Sequence, residues 1–259
     1  YKRQEIRRDV IKMLVAAGSG HSAGSLGLTD IFAALFFNIL NHDPEDPQWE
    51  DRDRFFLSCG HVAPVYYATL AHAGYFPVSR LKTLRKLGSS LQGHPERLKL
   101  PIIESTSGPL GSGLAQAAGY AYAARMEGAR FRVFCLTSDG EHQEGNHWEA
   151  ILFAGANKLS NLTSFVDRNH IQISGDTEEV MPLNSLREKY ESFRWNVIEI
   201  DGNEMSEILD GVARARKEYD KPSVIIAKTI SGRGVSFMEG KHEWHGKPPD
   251  EKQAKQALR

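Results

Sequence analysis

Asp139 and Asn169 are the residues whose type and spacing first invite a chemical reading. Asp139-Gly140 opens the polar stretch TSDGEHQEGNHWEA (137–150) behind the apolar run RFRVFCL, and Asn169 closes Asp167-Arg168-Asn169 behind a second run, LTSFVD (162–167). The two lie 30 residues apart, one strand-helix-strand excursion, so both should emerge at the same edge of a parallel sheet. A carboxylate with an amide carbonyl is oxygen chemistry, suited to Mg²⁺ or Ca²⁺ rather than Zn²⁺. Magnesium held by few protein oxygens completes its shell with phosphate and water, and Gly140, lacking a Cβ, would let the backbone approach that phosphate.

Histidines supply the second constellation. His21, His61 and His94 each follow a glycine, a context that favours a ligand-facing loop over a helix interior. Imidazoles can donate to hydroxyls and carbonyls and can carry protons near neutral pH. His245 is a fourth candidate, in competition with His242 three residues earlier, whereas His42, His72, His142, His147 and His170 read as surface or packing residues. Glu141 and Glu144 could each cap the following helix, and the residues alone do not separate them.

The elements that must hold these groups follow from periodicity. Five apolar runs, RFFLS (54–58), FRVFCLT (131–137), LTSFVD (162–167), NVIEID (196–201) and SVIIAKT (223–229), read as strands, most of them apolar on both faces. Helical stretches separate them, among them WEAILFAGANKL and MSEILDGVARARKEY. Further helices are expected over 4–17, over 28–40 (LTDIFAALFFNIL), after the turn CGH at 59–61, and over 110–126, where Ala and Gly permit close packing. Gly18, Gly20, Gly24 and Gly27 fall between the first two helices. The pattern predicts an α/β fold, a doubly wound, mostly parallel sheet flanked by helices, with ligand loops at the carboxyl ends of the strands.

Bulk properties exclude several classes. With 25% charged residues, 41% apolar residues and a formal net charge of −1 over 259 residues, the chain matches a soluble globular domain and lacks a basic nucleic-acid footprint. No run reads as a signal peptide or membrane span. Two cysteines, Cys59 and Cys135, lack metal or redox spacing, which fits a reducing, cytoplasmic setting. The absence of an initiator Met suggests a start inside the gene product.

GSGHSAGSLGLTD (18–30), DRFFLSCGHVAPVYYATLAHAGYFP (53–77), LQGHPERLKLPIIESTSGPLGSGLAQAAGYA (91–121), SDGEHQEGNHWEA (138–150), DRNHIQISG (167–175) and HEWHGKPP (242–249) resemble, in this order, the diphosphate-binding N-terminal part of transketolase. The resemblance covers nearly the whole chain, as a single thiamine diphosphate-binding domain over 1–259. It implies Asp139, Asn169 and the carbonyl of Ile171 as Mg²⁺ ligands, with Ca²⁺ as a substitute. It implies His61 and Gly140 against the cofactor diphosphate, and Gly108 and Leu110 against its rings. His21, His94 and His245 would serve the reacting centre, and Glu144 a carboxylate network across a dimer interface. Two departures stand out: Ser138 replaces the usual glycine, and His21-Ser22-Ala23-Gly24 replaces GHPG.

By the same resemblance, the activity would be transfer of a two-carbon ketol unit from a ketose phosphate to an aldose. The family's pyrimidine-binding and C-terminal domains do not fit into this length. A C-terminal partner subunit in an α2β2 assembly is therefore expected, with this chain inactive alone. A deoxyxylulose phosphate synthase-like or 2-oxo acid dehydrogenase-like subunit is the nearest alternative enzyme, and a non-catalytic cofactor-binding subunit the alternative of another class.

Overall fold

The computed structural model describes residues 1–259. Five strands, β1 (Arg54–Leu57), β2 (Val133–Ser138), β3 (Leu162–Arg168), β6 (Asn196–Asp201) and β7 (Ser223–Lys228), pair in the order β1-β2-β3-β7-β6, all parallel. Two short segments, β4 (Ile171–Gln172) and β5 (Gly175–Asp176), form an antiparallel hairpin beyond the end of β3. The helices are α1 (Lys2–Ala17), α2 (Ala23–Gly27), α3 (Thr29–Ala34), α4 (Ala63–Ala73), α5 (Ser112–Met126), α6 (Gly145–Ala156), α7 (Thr177–Val180), α8 (Leu186–Ser192), α9 (Met205–Arg216) and α10 (Glu251–Ala257).

The sheet is doubly wound because successive side chains of each strand face opposite layers. Phe134, Leu136, Phe165, Ile198 and Ile225 join the core built with Ile6, Leu14, Phe32 and Tyr67 on one side. Val133, Cys135, Val166, Val224 and Ile226 face Leu114, Ala121, Ile151 and Trp195 on the other. The second layer is thin where glycine allows it: a Cβ on Gly155 in α6 would lie 1.9 Å from the carbonyl oxygen of Phe193. Nothing larger than glycine fits there without moving the backbone.

Two expectations need refinement. Gly24 and Gly27 do fall between the helices expected over 4–17 and 28–40, but within a further short helix, α2, and Gly27 is small because a Cβ would sit 2.8 Å from the carbonyl oxygen of Ile230. The helix expected over 28–40 is α3 followed by a π-helical turn at Leu35–Ile39, closed by Leu40 N–H donating to Leu35 O (2.8 Å). The carbonyls freed at this end are taken by side chains: Phe36 O pairs with His42 Nε2 at 2.8 Å, and Ile39 O accepts from Arg216 at 2.6 Å. The β4–β5 hairpin escaped the sequence reading because two-residue strands carry no periodic signal. No helix is long and apolar enough to cross a membrane.

Candidate functional site

Register sets the site's foundation. Ser138 pairs with Asp167 at the carboxyl ends of β2 and β3, so the residues that follow, Asp139 and Arg168-Asn169, leave the sheet side by side. Asp139 is 1% exposed. Its Oδ1 accepts from Gly140 N–H (2.8 Å), and its Oδ2 from His170 N–H (2.8 Å) and Arg168 Nη1 (3.2 Å). Burial pushes this carboxyl above its usual range, although those three donors and the Arg168 charge pull the other way. Arg168 is itself held by Thr177 Oγ1 (2.9 Å) and Glu178 (2.6 Å).

Asn169 is oriented from behind. Its Nδ2 donates to Asp167 Oδ2 (2.8 Å), Thr229 Oγ1 donates to the other oxygen of Asp167, and Ile171 N–H donates to Asn169 Oδ1 (2.8 Å). Burial, aided by the Asp139 charge, raises the Asp167 carboxyl to about 7. His170 between them turns the chain at φ 61°, which brings its amide back to Asp139 and starts β4. A carboxylate offers about four lone-pair sites and an amide oxygen two, so about one site on each of Asp139 and Asn169 is left uncommitted. No cluster of three or more His, Cys, Asp or Glu side chains converges for a metal. A cation here would draw on oxygens of three kinds, carboxylate, amide and backbone carbonyl, which fits a hard ion.

All eleven residues singled out in the sequence line one cleft of about 310 Å³ at the carboxyl edge of the sheet: His21, His61, His94, Gly108, Leu110, Asp139, Gly140, Glu144, Asn169, Ile171 and His245. His242 is exposed and outside it, so His245 is the inward member of that pair. The ring of His21 lies 5.3 Å from that of His61, 5.6 Å from His245 and 6.3 Å from His94. Burial first, then mutual proximity and Arg85, lowers His21 to about 4. His61 is lowered well below the usual histidine range by burial and its three neighbours, His94 by burial and Arg85, and His245 by burial. Neutral imidazoles can both donate and accept. His21 Nδ1 is buried without a hydrogen-bond partner.

The glycines fit a bound ligand as well. A Cβ on Gly140 would meet nothing nearer than 3.9 Å, which leaves room for a ligand against the backbone. Gly108 adopts φ 154°, a conformation few other residues take, beside His94. Glu144 is exposed at the start of α6, whereas Glu141 is fully buried. Neither family departure disturbs the cleft. Ser138 takes part through its N–H, which donates to Glu141 at 2.8 Å, and Ser22 Oγ donates to Lys247 O at 2.6 Å, joining the His21 loop to the His245 segment.

Sequence reasoning missed Gly24, Ser138, Gln143, Gln172 and Ile173 as lining residues, and it did not foresee Glu141, Asp167, Arg168 and Thr229 behind the lining. For Asp167, Arg168 and Thr229 the only available signal was a charged or polar residue at the end of an apolar strand, and for Glu141, in the turn after β2, there was none beyond a possible helix cap. His142 and His147 are packing residues as expected, fully buried together against Tyr190.

Comparison with known proteins places these features in context. Residues 3–259 match the family described as transketolase, thiamine diphosphate binding domain. A 6-deoxy-6-sulfo-D-fructose transketolase subunit of Clostridium sp. (strain MSTE9) is 40% identical over 253 residues, spanning 98% of this chain and 92% of that protein. An apulose-4-phosphate transketolase subunit of Phocaeicola vulgatus is 38% identical, spanning 98% of this chain and 90% of that protein. Human transketolase is also 38% identical over 98% of this chain, but the match spans 40% of its own length. The crystal structure of transketolase from Campylobacter jejuni superposes with a TM-score of 0.93 at 35% identity, covering 99% of this chain and 41% of that one.

Proposed function

The chain belongs to the transketolase family through its thiamine diphosphate-binding domain, and from that premise we propose that it is the diphosphate-binding subunit of a two-chain, Mg²⁺-dependent transketolase. The observation that carries this reading is the cleft itself, lined together by four histidines and by Asp139, Asn169 and Ile171 from separate segments of the chain.

In this reading Asp139, Asn169 and the Ile171 carbonyl hold Mg²⁺, which anchors the diphosphate with His61 and the backbone at Gly140. Gly108 and Leu110 lie against the cofactor's rings. When bound, the cofactor supplies the electron sink for carbon–carbon bond cleavage and formation. His21, His94 and His245 hold the sugar by its hydroxyl and carbonyl oxygens, and they move protons as neutral imidazoles. Glu144, exposed in the single chain, joins a carboxylate network when subunits meet.

The substrate is proposed to be a ketose bearing an anionic tail, with a two-carbon ketol unit passed to an aldose acceptor. This is in keeping with relatives named for a sulfonated fructose and for apulose 4-phosphate. The pyrimidine-binding and C-terminal domains would come from a partner chain in an α2β2 complex in the cytoplasm. The relatives spanned to 90% and 92% of their length, set against 40% of human transketolase, support the split arrangement.

The test is to purify the chain and a partner carrying the pyrimidine-binding half, and to assay each alone and both together for two-carbon transfer from a ketose phosphate. Activity is expected only from the mixture. Turnover by this chain alone refutes the split-subunit reading, and pyruvate consumption with release of carbon dioxide reassigns the reaction to another thiamine enzyme.

A further inference from the structure

Behind the cleft lies a carboxylate that none of the roles above uses. Glu141 is 0% exposed, and no Lys, Arg or His forms an ion pair with it. Its Oε1 accepts from Ser58 Oγ (2.5 Å) and from Gly111 N–H (2.8 Å), and its Oε2 accepts from Ser138 N–H (2.8 Å), with Ser138 Oγ at 3.5 Å.

Each donor belongs to a different wall of the cleft. Ser58 follows β1 and precedes His61 by three residues, Gly111 follows Gly108 and Leu110, and Ser138 precedes Asp139. Ser58 also accepts from Gly113 N–H at 3.1 Å, and a Cβ on Gly113 would lie 2.5 Å from Ser58 Cβ, so the start of α5 rests directly on the end of β1. We propose that Glu141 is a positioning residue that locks the His61, Gly108–Leu110 and Asp139–Gly140 loops to one another, and that it does so by accepting at both carboxyl oxygens at once. The consequence for cofactor binding rests on the function proposed above.

The requirement for a carboxylate follows from donor counting. Two of the three close donors are backbone N–H groups, which cannot reverse their role. Whichever way a glutamine amide is turned, its NH₂ faces either the Gly111 or the Ser138 N–H, so an isosteric replacement sets hydrogen against hydrogen at one wall. Gly111, the N-cap of the 15-residue α5, offers no side chain, and Glu141 supplies the acceptor for its N–H at that end of the helix. An aspartate, one methylene shorter, cannot reach both walls.

The experiment compares wild type, Glu141→Gln and Ser58→Ala by calorimetric titration of thiamine diphosphate at saturating Mg²⁺, with the full chain in its partner complex and well below each variant's melting temperature. Glu141→Gln is expected to weaken cofactor binding about tenfold or more, on the scale of one lost charge-assisted hydrogen bond, and Ser58→Ala, which leaves both backbone donors in place, by a smaller factor. A purely structural role would lower the melting temperature and leave the affinity of the folded protein unchanged. That result for Glu141→Gln overturns the proposal, and so does an unchanged affinity in Ser58→Ala if Glu141→Gln does not fold. Wild type that binds no thiamine diphosphate refutes the cofactor reading alone. Amide hydrogen exchange on the ligand-free chain then decides the coupling: faster exchange at Gly111, Gly113 and Ser138 together in Glu141→Gln, or in Ser58→Ala if Glu141→Gln does not fold, supports it, and unchanged protection at these amides overturns it.

Discussion

Replacing Asp139 by alanine should destabilise the ligand-free protein as well as weaken its hold on the cofactor, and the two effects are separable. The carboxylate accepts from Gly140 N–H, His170 N–H and Arg168 Nη1, all at a site 1% exposed. An unsatisfied buried donor costs about 1–3 kcal/mol, and a buried ion pair that loses one member about 3–5 kcal/mol. These figures overlap, because one carboxylate serves all three donors and Arg168 keeps Thr177 and Glu178. Removing the carboxylate also relieves a desolvation cost, the same burial that raises its pKa. The net loss is therefore set at about 3 kcal/mol, or roughly 6–12 °C in melting temperature for a chain of this size.

Calorimetric melting without metal or cofactor measures this first effect. The second appears when Mg²⁺ and thiamine diphosphate are added at about 100 times the dissociation constant: wild type gains about 2.7 kcal/mol by linkage, and Asp139→Ala gains nothing. Arg168→Met in the Asp139→Ala background should cost less than the sum of the single changes, since the uncompensated charge is then gone. A ligand-free variant that melts within about 2 °C of wild type would refute the structural reasoning. A wild-type cofactor increment in the variant would remove Asp139 from the metal site.

Two further outcomes follow from the cleft. Because His21 binds protons less well in the folded state, at about 4, than in the unfolded chain near 6.5, its contribution to stability is complete above 6.5 and is lost as pH falls toward 4. Stability should rise with pH across that window, and Arg85→Met, which removes one of the charges depressing His21, should raise the His21 midpoint observed by proton NMR of the imidazole; an unmoved midpoint contradicts the assigned cause. Ser22→Ala should leave the melting temperature within a few degrees of wild type, because one neutral hydrogen bond contributes about 1 kcal/mol, yet reduce turnover in the assembled enzyme by loosening the His245 segment. Unaltered kinetics would show that the Ser22–Lys247 bond has no part in placing His245.

What the sequence disclosed was what has a period or a chemical type. Apolar runs of five to seven residues yielded the five strands, and an Asp and an Asn one excursion apart led to one edge of the sheet. The Gly-His dipeptides led to loops, and those loops line the cleft. What stayed hidden depends on partners distant in the chain. Glu141 and Glu144 look alike in sequence, and only the approach of Ser58 and Gly111 makes one a buried junction while the other stays in solvent. The carbonyls at the π-helical end of 35–39 are taken by His42 and Arg216, partners that no local pattern identifies. Gly27 likewise looks like loop punctuation in sequence, and only the carbonyl of Ile230 against it explains why it is glycine.

The strand order has a consequence for biogenesis. β7 is the last strand to be synthesised, yet it sits between β3 and β6, so both earlier strands have a bare hydrogen-bonding edge until residues 223–228 leave the ribosome and insert. Insertion into a waiting parallel slot is slow, and open edges invite pairing with other chains meanwhile. Thr229, immediately behind β7, then closes onto Asp167, which orients Asn169. The oxygen site is thus completed by the strand that arrives last, and a nascent chain that stalls before residue 223 should lack that closure.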